Sequence, residues 1–111
     1  MEQVIIPEKV KAPFDYFLIA NRLSESFKFL PFMAQSGVYT AFLRSRKIHI
    51  RMLEDEVYGL ETVYMGRVKY NLTGRNASNW IPDYNSALIQ ALNEGFKLLE
   101  EQLSESKKAL L

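Results

Sequence analysis

The sequence contains no cysteine and a single histidine, His49. Disulfides and thiolate chemistry are therefore excluded, and zinc would have to be held by one imidazole and carboxylates, a poor match to the usual Cys and His ligand sets. Long apolar runs are also missing: none approaches the ~20 residues that cross a bilayer. The start, Met1 to Pro7, has no basic segment followed by an apolar one, so no signal peptide is expected and a cytoplasmic location is the default reading. Nor does one sign of charge dominate. The 14 Lys and Arg against 13 Asp and Glu give a formal charge of +1, which excludes a globally basic nucleic-acid binder. No paired-carboxylate, Ser/His/acid or phosphate-loop pattern occurs. These absences together predict a protein that is not an enzyme, uses no cofactor and holds no metal.

What is present is the composition of one globular domain, residues 1–111, with 48% hydrophobic and 24% charged residues. Its centre is the stretch Gly37 to Leu72, where β-branched and aromatic residues concentrate and the hydrophobic period falls to two. Strands are expected at Val38–Leu43, Lys47–Leu53 and Val57–Tyr70. Arg44-Ser45-Arg46 and Leu53-Glu54-Asp55-Glu56 are read as the links between them. A strand spanning Val57 to Tyr70 would exceed the usual ~3–10 residues, so Gly66 is read as a hairpin turn that makes a fourth strand. Within the middle strand Ile48, Ile50 and Met52 point to one side and Lys47, His49 and Arg51 to the other, giving a core face and a wet, cationic face.

Helices flank this sheet. Residues 1–12 read as an N-terminal arm ahead of a helix that starts near Pro13, carries Tyr16, Ile19, Ala20, Leu23, Phe27 and Leu30 as its apolar stripe, and stops at Pro31. Thr73 to Asn79 reads as a polar loop. Asp83 caps a long last helix with the stripe Tyr84, Leu88, Ala91, Leu92, Phe96, Leu99 and Leu103, and residues 104–111 read as its fraying or partner-reaching tail. The expected fold is thus α+β: a three- to four-stranded antiparallel sheet between an N-terminal helix and a long C-terminal helix. Helix, three strands, helix is also the order of double-stranded-RNA-binding domains. The cationic start of the last helix that grips phosphate there is replaced here by Asp83-Tyr84-Asn85-Ser86-Ala87, so the similarity is one of element order alone.

Two features bear on function. The first is a charge asymmetry hidden by the neutral total: Tyr39–Arg75 carries seven basic and four acidic residues, Asp83–Lys108 five acidic and three basic. The basic set Arg44, Arg46, Lys47, His49, Arg51, Arg67 and Lys69, with Tyr39 and Tyr64 as stacking rings, forms a candidate surface for nucleic acid or an acidic partner. The second is apolar surplus. Phe14, Phe17, Leu18 and Phe29 fall off the first helix's stripe and suggest a contact with a protein partner or a second copy. The surplus ranks first a small non-catalytic interaction protein, an assembly component or inhibitor of the kind that phages and mobile elements encode, and a homo-oligomer. A nucleic-acid-binding module ranks second, and a small-molecule binder with an aromatic pocket third.

Overall fold

The computed structural model describes residues 2–110, with side chains through Glu105. The elements are α1 (Glu8–Ala20), a single 3-10 turn (Phe27–Phe29), α2 (Phe32–Ser45), β1 (Ile48–Val57), β2 (Glu61–Tyr70), β3 (Thr73–Asn76) and α3 (Tyr84–Leu110). The fold is α+β, an antiparallel meander in the order β1-β2-β3 with an N-terminal helix and a long C-terminal one. One face of the sheet, with Ile48, Ile50, Met52, Val68 and Tyr70, packs on the helices. The core joins them to Val10, Phe14 and Leu18 of α1, Tyr39, Phe42 and Leu43 of α2, and Leu88, Ala91, Leu92, Phe96 and Leu99 of α3. The α3 residues of this core are those that the helical spacing picks out in the sequence.

The stretch expected as the first strand, Val38–Leu43, is instead the second half of α2. Its residues favour strands one by one, but Ser36, Tyr39, Phe42 and Leu43 share one side of a helix and are all buried. Burial of that side outweighs local preference. Arg44-Ser45-Arg46 accordingly ends a helix: Lys47, at φ 68°, closes it with its N–H on the Arg44 carbonyl at 2.9 Å.

α1 starts at Glu8, ahead of Pro13, and stops at Ala20 rather than Leu30. Val10, Phe14 and Leu18 recur at helical spacing and all three are buried, which carries the helix through a proline that removes one hydrogen bond. Its end is a left-handed cap at Arg22 (φ 58°), with Arg22 N–H on the Ile19 carbonyl at 3.0 Å and Leu23 N–H on the Leu18 carbonyl at 2.8 Å. The face read from sequence as the stripe is the outer one, since Tyr16 and Ile19 are exposed. The arm before it lies on α3, where Asn93 accepts from Ile5 N–H at 2.8 Å and donates to the Gln3 carbonyl at 2.9 Å. Of the expected tail, Ser104 and Glu105 stay in α3, and the side chains of 106–111 lie outside the described residues.

Leu53-Glu54-Asp55-Glu56 is no link but the outer half of β1. The reversal comes later, at Tyr58 and Gly59, both at positive φ (54° and 67°), with Leu60 N–H on the Val57 carbonyl at 3.1 Å. Gly66 is no turn either. It sits mid-strand in register with Met52, and its reason is α3: a Cβ there would lie 2.5 Å from the Ala91 Cβ and 3.1 Å from the Ala87 carbonyl oxygen. The Gly66 N–H donates to the buried Ser78 hydroxyl at 2.7 Å, and its carbonyl accepts from Ala77 N–H at 2.8 Å. The supposed loop after Leu72 therefore begins as a third strand and continues along β2 as far as Ile81, which exchanges hydrogen bonds with Tyr64.

Two outcomes follow for stability. Gly66→Ala should destabilise by about 1–3 kcal/mol through overpacking against α3, even though alanine restricts the unfolded chain more than glycine; urea denaturation measures it. Asp83 caps α3, accepting from Ser86 N–H at 3.1 Å and the Ser86 hydroxyl at 2.6 Å. The hydroxyl bond holds its pKa below the ordinary aspartate value. A pKa lower in the folded than in the unfolded state gives stability that is present above the unfolded value and lost as pH falls through the folded one. Asp83→Ala should therefore lower the Tm at neutral pH and change it little in acid below the carboxylate range, as paired thermal melts would read.

Candidate nucleic-acid interface

The register places four of the expected basic residues together. His49 lies opposite Lys69 and Arg51 opposite Arg67, in adjacent positions on one face of the β1–β2 ribbon. That face is the one turned away from the helices, and all four side chains are exposed. With Val68, Leu72 and Gly74 they line a groove of about 440 Å³. β3 forms its far wall: Gly74 is in register with Lys69 and presents no side chain there, while the exposed Leu72 stands at the β2–β3 turn. Arg75, the neighbouring cation, points the other way and is ion-paired with Glu94 of α3.

Like charges directly opposite one another weaken a sheet by about 0.2–1 kcal/mol. Among the described residues the only ion pairs within 4.0 Å are Lys11 with Glu8 and Arg75 with Glu94, so none of Arg51, Arg67 and Lys69 has a carboxylate partner. The groove thus concentrates three permanent cations and an imidazole without internal neutralisation.

No family model matches the chain, and neither a curated protein nor a solved structure does. Function has to be read from the groove itself.

The other expected site residues fall elsewhere. Arg44 and Arg46 belong to the last turn and cap of α2, and Lys47 to the turn that follows. Arg46 lies over the Phe42 ring at 5.9 Å. Tyr39 is no stacking platform: it is buried in a ring cluster with Phe14 (5.3 Å), Phe27 (5.3 Å) and Phe96 (5.5 Å), and that burial raises the pKa of its hydroxyl. Tyr64 is on the helix side of the sheet, edge-on to Tyr84 at 5.2 Å. None of the strand positions on the groove face carries Phe, Tyr or Trp, and His49 alone has a ring.

The expected partner-contact set divides as well. Phe14 and Leu18 are core residues and Phe17 is half-buried against Phe42 at 5.4 Å, leaving only Phe29 exposed. They form no single surface because α1 turns this side inward. Sequence reasoning missed Leu72 and Gly74, for which the signal was a two-residue turn at Asn71 (φ 56°) followed by a short third strand. Among the described residues no group of three His, Asp or Glu is placed to hold a metal ion, and no helix is long and apolar enough to cross a membrane.

The unneutralised register predicts a stability effect. Arg67→Thr, which removes the like-charge pair with Arg51 and supplies a strand-favouring side chain, should raise the Tm of the unliganded protein at low ionic strength. The gain should shrink as salt screens the repulsion, which melts across a salt series would show.

Proposed function

We propose that the protein is a non-catalytic binder of nucleic acid that lays a phosphate backbone along the groove of His49, Arg51, Arg67 and Lys69. The observation that carries this reading is the register of Arg51 against Arg67 and His49 against Lys69, with no carboxylate paired to any of the cations among the described residues. A phosphodiester supplies the missing counter-charge to both rows, and arginine meets phosphate oxygens with two parallel N–H donors. Because no Phe, Tyr or Trp stands on the strand positions of this face, the contact is chiefly with the phosphate backbone, so binding is insensitive to sequence. The apolar surplus that ranked a protein partner first supports it less once Phe14 and Leu18 are assigned to the core.

Fluorescence anisotropy with a short labelled duplex and its single strand, over a salt series, tests the reading. Log affinity should fall with log salt at a slope of about −3 for three permanently charged contacts, near −0.9 per phosphate. Arg67→Ala and Lys69→Ala should each weaken binding equally for unrelated sequences and reduce the slope by about one. A lack of binding at low salt, or a slope that neither substitution changes, would overturn it. If the groove instead captures an acidic protein and ignores nucleic acid, it is a protein-docking surface.

A further inference from the structure

β1 is an edge strand, and its free edge has a definite hydrogen-bonding pattern. Gly66 and Tyr64 both direct their N–H and C=O groups toward the 77–81 segment. Their register partners, Met52 and Glu54, therefore stand in the widely spaced positions of the β1–β2 ladder and point their own N–H and C=O groups away from β2. By the two-residue period the same holds for Ile48, Ile50 and Glu56. None of these outward groups meets a backbone partner among the described residues, and only Glu56 N–H is met by a side chain, that of Asp55 at 2.8 Å. The strand runs ten residues without proline or bulge. Of the devices that keep such an edge from pairing it has only charge, that of Arg51, Glu54, Asp55 and Glu56, which a partner with the complementary order would neutralise.

The charge order along that edge identifies what fits it. On the groove face β1 reads His49, Arg51, Leu53, Asp55, Val57, basic at the root and acidic toward the tip, with a leucine between. An antiparallel copy of the same strand reads in reverse. With Leu53 facing itself across a two-fold axis, Arg51 of each copy lies opposite Asp55 of the other. Met52 then lies opposite Glu54 and Ile50 opposite Glu56, and each of these pairs consists of outward-pointing residues that exchange both backbone hydrogen bonds. On the helix face the arriving Glu54 and Glu56 come beside half-buried Ile50 and Met52, which line a groove of about 490 Å³ together with Arg44.

We infer that the protein forms a two-fold dimer by antiparallel pairing of β1 with β1 of a second copy, extending the three-stranded sheet to six. The two-fold pairing uses the β1 edge of both copies at once, so association through β1 stops at two. The inference does not depend on the groove binding nucleic acid. Arg51 takes part in both surfaces, whereas the salt-slope test above uses Arg67 and Lys69, which lie on β2, one strand in from the edge.

Charge reversal tests the register. Sedimentation velocity of the wild-type chain should give twice 12.9 kDa. Arg51→Asp and Asp55→Arg alone each set two like-charged pairs across the axis and should raise the dimer dissociation constant at least about tenfold. Mixed in equal amounts, the two variants restore both opposite-charge pairs and should form a heterodimer that native mass spectrometry resolves. Both positions are exposed, and unchanged circular dichroism would show that each variant folds. A wild-type protein that remains at 12.9 kDa at high concentration would overturn the inference. So would single variants that dimerise as the wild type does, or a mixture that shows no heterodimer.

Discussion

The structure depends on how closely α3 can approach the sheet. Ala87, Ala91 and Gly95 recur every fourth residue on that helix, and Gly66 meets the first two from mid-strand, so that even one added Cβ at Gly66 would collide with Ala91. At Gly95 the space is taken by Leu43 of α2 and by Ile48 and Ile50 of β1. Small residues on both sides thus let the helix settle on the strand, while its larger Leu88, Leu92, Phe96 and Leu99 join the common core and Phe96 meets Tyr39 and Phe42 of α2. Close packing of this kind tolerates little change in volume.

The same approach divides the sheet's labour. With every helix on one face, the other face of the β1–β2 root carries no covering layer, and cations can collect there without being desolvated. On the opposite side Glu94 of α3 takes Arg75 from β3. The asymmetry in charge seen along the chain becomes an asymmetry in space because adjacent strand residues alternate between a packed face and a bare one.

What could be read from the residues follows from whether local and tertiary forces agree. In α3 they agree: a cap at Asp83 and one long apolar stripe leave no competing pattern. At the root of β1 the alternation of Ile48, His49, Ile50 and Arg51 gives both strand and face, and with them the groove's imidazole and one of its three cations. In α2 they conflict, since Val38-Tyr39-Thr40 favours a strand while the core requires Ser36, Tyr39, Phe42 and Leu43 on one side. The misplacement of Tyr39 follows directly from that conflict. Pro13 drew the start of α1 forward by five positions and so rotated its inward face, which turned Phe14 and Leu18 from core into apparent surplus. Gly66 was legible as special but not why, because its reason lies in a helix more than twenty residues further along. Arg67 and Lys69 belong to the basic set read from the sequence, but placing them opposite Arg51 and His49 needed the register, which a single strand does not contain.

The two ends of the chain hold each other. Asn93 clasps the arm at Gln3 and Ile5, Gln90 reaches Glu2, and Lys9 donates to Ser104 at 2.7 Å, across most of the chain's length. Contacts so distant in sequence close late, after the local hairpins and helices have formed. During synthesis the meander can pair as it emerges, but Val10, Phe14 and Leu18 have no α3 to bury them until that helix has followed. The greatest exposure of this core to misassembly therefore falls in the interval between the making of the meander and the making of α3.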